Sequence, residues 1–114
     1  MASLIPDEWK RKVCEALDSG SHERTLVRQT ATLTWGDTFP FAFQYEMLAA
    51  ISDALKQPNV AGGRKEMDEP TETYAFFFSF EKVKMYTKVG LMPDGTVVII
   101  YSSHKPDVTK GDRL

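Results

Sequence analysis

The stretch from Tyr74 to His104, YAFFFSFEKVKMYTKVGLMPDGTVVIIYSSH, constrains the fold most. It concentrates β-branched and aromatic residues, with polar residues at regular intervals, which predicts three strands at about 74–80, 83–91 and 97–103. Glu81-Lys82 joins the first pair, and Pro93-Asp94-Gly95, a strong turn signal, joins the second.

A two-residue turn between Phe80 and Val83 sets Phe78 opposite Met85, Phe76 opposite Thr87 and Tyr74 opposite Val89. A three-residue second loop sets Leu91 opposite Val97, Val89 opposite Ile99 and Thr87 opposite Tyr101. That face is almost wholly apolar and is expected to be buried. The other face then carries Ser79, Lys84, Tyr86, Lys88, Ser102 and His104, with Phe77 and Ile100 among them. A two-residue Asp94-Gly95 turn would shift the last strand by one residue and turn Ser102 and His104 inward. The first register is preferred because it keeps His104 out of an apolar layer.

Upstream, residues 6–19 read as a helix. Pro6 suits its first turn, Asp7 and Glu8 complement its dipole, Trp9, Val13 and Leu17 form its stripe, and Gly20 stops it. Residues 24–35 are Thr-rich and read as a strand with Val27, Ala31, Leu33 and Trp35 on one side, a short helix over 22–29 remaining open. Residues 38–56 read as the central helix, with Phe41, Tyr45, Leu48, Ile51 and Leu55 at helical spacing. Residues 57–72 read as a mobile loop from Pro58, Gly62, Gly63 and Pro70, and 105–114 as a polar tail that frays. A chain of 114 residues makes one domain. The expected class is α+β, an antiparallel sheet of three or four strands, the C-terminal meander, against two N-terminal helices.

A formal net charge of −2 argues against whole-molecule attraction to nucleic acid or acidic membranes. The single cysteine, Cys14, forms no internal disulfide and is expected to be buried and inert. No secretory signal and no apolar run of about 18–20 residues is present, so a cytoplasmic location is expected. Phosphate cradles of the GxGxxG or GxxxxGKS/T kind, a GxSxG elbow and zinc-ligand spacing are all missing.

The remaining constellation is Lys84, Tyr86, Lys88, Ser102 and His104 on one sheet face. In the preferred register Tyr86 lies opposite Ser102 and Lys84 opposite His104. Lysines neutralise a phosphodiester, a tyrosine stacks on a base, and His or Tyr moves a proton. The 2′-hydroxyl of RNA can serve as nucleophile, so neither metal nor cofactor is required. Arg64 and Lys65 could close over an anion from the loop. From spacing alone the same pattern also describes a solvated face on which lysines discourage aggregation.

A helix, a helical pair or strand-plus-helix, and a meander reading MYTKVGL and DGTVVIIYSSHKP together resemble the small bacterial RelE-type toxins. The likeness is to the motility quorum-sensing regulator (MqsR-like) branch of messenger-RNA-cleaving toxins, over roughly residues 40–106. It rests on a Tyr-x-Lys of a central strand and an aliphatic last strand ending in Ser and a basic residue. The resemblance implies a RelE-like fold and a metal-independent endoribonuclease, the toxin of a toxin–antitoxin pair. Its catalytic residues would be Tyr86, Lys88 and His104, with Lys105 an alternative to the last. Lys84, Ser102, Lys105, Arg64 and Lys65 would hold RNA. The implied partners are an antitoxin protein and RNA, with no membrane, and a homo-oligomer stays open. The alternative is a non-catalytic interaction module, an immunity or regulatory protein binding through its sheet face.

Overall fold

A computed structural model describes residues 2–107, 109 and 111–114. The elements in chain order are β1 (Ser3–Leu4), α1 (Asp7–Asp18), β2 (Thr25–Val27), α2 (Gln29–Thr38), α3 (Gln44–Leu55), β3 (Ala61–Lys65), β4 (Glu72–Phe80), β5 (Val83–Leu91) and β6 (Val98–His104). The class is α+β, but the sheet is larger than expected. Six strands run in the order β1-β3-β4-β5-β6-β2, antiparallel except for β2, which pairs parallel to β6. Among the described residues three helices accompany it, not two. Among the described residues no helix is long and apolar enough to cross a membrane.

One face of the sheet, the helix face, presents Tyr74, Phe76, Phe78, Met85, Val89, Val98 and Ile100 to a single core shared with the helices. Helix α1 buries Trp9, Val13, Cys14, Ala16 and Leu17 there. The Trp9 ring meets Tyr74 edge-on at 5.0 Å, and its indole N–H donates to the Glu72 carbonyl at 2.9 Å. Cys14 is buried as expected, with its thiol pKa pushed up chiefly by burial.

The segment expected as one helix over 38–56 is broken. Pro40 disfavours helical backbone at the preceding residue, and Phe39 accordingly leaves the helical region at φ −130° and ψ 75°. The chain turns there, and the Phe39 ring wedges between Trp35 at 4.6 Å and Phe80 at 4.9 Å. Helix α3 then starts with the Glu46 carboxylate accepting the Phe43 N–H at 2.7 Å, and it buries Met47, Ile51 and Leu55. Phe41 and Tyr45, expected on the buried stripe, are exposed instead.

The Thr-rich segment is a three-residue strand followed by a helix, not a strand to Trp35. Helix α2 runs beside the part of β6 that β2 does not reach. Thr30 and Thr34 donate their hydroxyls to the Tyr101 and Ser103 carbonyls, at 3.4 and 2.6 Å, and so occupy the strand edge from a helix.

The stretch expected as a loop over 57–72 carries β3 in its middle. Its glycines serve close approach: a Cβ on Gly62 would lie 2.6 Å from Ile5 Cδ1, and one on Gly63 would lie 2.4 Å from the Leu114 carbonyl carbon. The end of the tail lies against the sheet. Lys65 Nζ donates to the Arg113 carbonyl at 2.9 Å, and the Asp112 carboxylate accepts the Asp107 N–H at 2.9 Å.

Candidate functional site

Strands β4 and β5 pair in the expected register through all nine positions, from Glu72 opposite Leu91 to Phe80 opposite Val83. Strand β6 does not follow. Met92 and Val97 close a loop of four residues, Pro93–Thr96, with the Val97 carbonyl accepting the Met92 N–H. Val98 therefore lies opposite Leu91 and Ile100 opposite Val89, one residue from the expected register. Left uncorrected, that slip would have turned Ser102 and His104 inward. A bulge prevents it: beyond Val89 the register shifts again, setting Ser102 opposite Lys88 and His104 opposite Tyr86, with Tyr101 the extra residue. Ser102 and His104 stay on the outer face, the side away from the helices, while Ile100 moves into the core and Ile99 out of it.

The expected constellation is thus on one face but differently paired. Tyr86 faces His104, with ring centroids 5.5 Å apart. Tyr86 is not open to solvent. It is 2 % exposed, with Phe77 edge-on at 6.0 Å, and its phenol pKa is raised by burial and then by Asp112. His104 Nδ1 sits 2.9 Å from the Lys105 carbonyl and 3.5 Å from an Asp112 oxygen. A carbonyl only accepts, so Nδ1 carries the hydrogen. Both rings lie by the C-terminal residues that cover this half of the face.

The other expected residues scatter. Lys84 stands at the far end of β5, its ammonium 4.0 Å from the Phe77 ring centroid. Four residue steps of strand, about 13 Å, separate its Cα from that of Lys88, and its ammonium is turned to Phe77 and not toward Lys88. Ser102 Oγ is buried with no hydrogen-bond partner among the described residues. Lys105 is exposed and offers its carbonyl to His104. Arg64 pairs across from Tyr74, on the helix face, 3.8 Å from a Glu72 carboxylate oxygen, so it does not join Lys88. Lys65 is on the outer face and holds the Arg113 carbonyl.

Lys88 lies in the open half. It lines a concavity of about 470 Å³ with Arg28, Thr30, Glu69 and Tyr101. The bulge and Gly90 shape its floor: a Cβ on Gly90 would be 2.8 Å from Tyr101 Cε2, so only glycine lets that ring lie down on β5. The Tyr101 hydroxyl meets Thr71 Oγ1 at 3.1 Å, and Thr71 meets Thr73 at 2.7 Å. Arg28 follows β2, and its guanidinium carbon is 5.8 Å from the Tyr101 ring centroid while Nη2 bonds a Glu69 oxygen. The hydrogen bond from Arg28 holds the Glu69 carboxyl below its ordinary pKa, and Glu69 raises that of Arg28. Burial raises the Tyr101 phenol, which therefore keeps its proton.

The concavity thus joins two cations, an ionised carboxylate and a protonated phenol. Arg28, Glu69 and Tyr101 carry no sequence signal for this role, because a parallel strand pair, the segment between β3 and β4 and a bulge bring them together. Among the described residues no group of three or more His, Cys, Asp or Glu could hold a metal ion. Comparison of the chain with protein-family models, curated proteins and solved structures finds no match.

Proposed function

We propose that this chain is a RelE-like, metal-independent endoribonuclease, the toxin of a toxin–antitoxin pair, working in the concavity at Lys88. The observation that carries this is that Lys88, Arg28, Tyr101 and Glu69 line one concavity, with Arg28 over the Tyr101 ring and bonded to Glu69. Lys88 and Arg28 would hold the phosphate and stabilise the charge that builds on it. Glu69 would take the proton from the ribose 2′-hydroxyl. The 2′-oxygen then bonds to phosphorus, the bond from phosphorus to the 5′-oxygen breaks, and Tyr101 gives its proton to the leaving oxygen. The products are a 2′,3′-cyclic phosphate and a 5′-hydroxyl, with the Glu69 proton returned to Tyr101 through water. Tyr86, buried between Phe77 and His104, is not open to stack on a base.

The test is cleavage of single-stranded RNA by the purified chain with chelator present. Lys88→Ala is expected to lower the rate by about 100-fold, and Tyr86→Phe to leave it unchanged. Absence of a cyclic-phosphate product from the unaltered chain would remove the proposal.

The second reading is a non-catalytic immunity or regulatory module. It is favoured by exposed Phe41, Phe43 and Tyr45 near the α2–α3 joint, 95, 66 and 65 % exposed. Expression of the chain alone separates the two, since growth arrest is expected only of the toxin.

A further inference from the structure

Strand β4 is longer than its partner on one flank. Against β5 all nine of its residues pair, whereas against β3 only Thr73, Tyr74 and Ala75 do. On that flank Phe77–Phe80 meet no strand of the described residues, so alternate amides and carbonyls point outward at strand spacing. Edge strands are commonly blunted by charge, proline or a bulge. This one reads Phe-Phe-Ser-Phe. Along it runs an open groove of about 810 Å³, walled by Ala50 and Ala54 of α3 and ended by Val60 and Ala61, where the chain enters β3. Glu46, Asp53 and Glu81 line it, and no Lys or Arg does.

We infer that this groove takes an extended, basic segment of a partner protein, which adds as a strand to Phe77–Phe80. Backbone bonds to β4 would supply affinity. Lys or Arg at the alternate positions that face α3 would lay their stems over Ala50 and Ala54 and reach Glu46 and Asp53, while the residues between them would face the outer side. A second copy of this chain is a poor occupant. Two-fold strand pairing would set one acidic groove, with no Lys or Arg among the described residues of its lining, against another. The inference does not rest on RNA cleavage, because the groove borders β4 and the concavity borders β6.

The full chain would be titrated with a synthetic peptide of alternating Val and Lys, with its Val/Glu counterpart, and with a Val/Lys peptide N-methylated along one edge. The Val/Lys peptide is expected to bind and to slow hydrogen exchange at amides within Phe77–Phe80. The other two are expected to bind at least about tenfold more weakly. Asp53→Lys, on the exposed side of α3, should weaken the Val/Lys peptide to a similar degree. Ala54→Trp should block the groove, and Asp53→Lys keeps the test valid if that variant fails to fold. Failure to bind, equal binding of the Val/Glu peptide, or binding without protection of Phe77–Phe80 would each overturn the inference. So would a concentration-dependent dimer that protects the same amides without peptide.

Discussion

Glu81 and Lys82 sit at φ 51° and 65°, the left-handed region that side chains with a Cβ avoid. Two such residues in a row make the turn whose twist matches an antiparallel pair, which is why β4 and β5 hold register along their whole length. Replacing them with Asn-Gly keeps the turn and relieves the backbone. Equilibrium denaturation is expected to show a gain of about 1 kcal/mol, with an unchanged denaturant slope. Gly90 is the opposite case. A Gly90→Val side chain would meet Thr73 Oγ1, at 2.7 Å from the first added carbon, and the Tyr101 ring, at 2.8 Å. Overpacking of this kind costs about 1–3 kcal/mol. The midpoint of unfolding should fall, and RNA cleavage should fall further than stability, because the displaced ring belongs to the concavity.

At the scale of elements, α1 and α3 are tied outside their apolar contact by Asp18. Its carboxylate accepts the Ser52 hydroxyl at 2.7 Å and pairs with Lys56 at 2.8 Å. Burial alone would raise the Asp18 pKa, but the bonds from Lys56 and Ser52 outweigh it and bring the value down. A carboxylate depressed on folding contributes stability above its unfolded pKa and loses it as pH falls through the folded one. Asp18→Asn should therefore cost about 1 kcal/mol or less at neutral pH, the pair being half exposed. The gap to the unaltered chain should close below the carboxylate range, as urea titrations at several pH values would show. Such ties explain what the sequence could reveal. The β4–β5 ladder was legible because turn length and alternation sufficed to set it. The β6 register was not, since a four-residue loop and a bulge at Tyr101 shift parity twice. Pro40 did mark the break between α2 and α3, but the aromatic spacing around it imitates a continuous helix. The threonines of α2 read as strand by propensity. As a helix they bond backward to their own turn, Thr34 to the Thr30 carbonyl at 2.9 Å, and sideways to β6.

The whole molecule carries a net charge of −2, so any RNA it holds is attracted by a few local cations and not by its overall field. Among the described residues, the cations lining the concavity in the open half of the outer face are Lys88 and Arg28, and Arg28 is shared with Glu69. Lys84 stands at the far end of the face, Lys65 holds the Arg113 carbonyl, and Arg64 is on the other side of the sheet. Each phosphate neutralised on a single strand contributes about −0.7 to the slope of log affinity against log salt. Two contacts predict a slope of about −1.4, on the same relation. Titrating a short uncleavable RNA across a series of salt concentrations measures it. Lys88→Ala should bring the slope down by about half, and Lys84→Ala should leave it nearly as it was. A slope several times steeper would mean that RNA crosses most of the outer face, including the half now covered by Asp112, Arg113 and Leu114. The concavity at Lys88 would then be one contact among many and not the site.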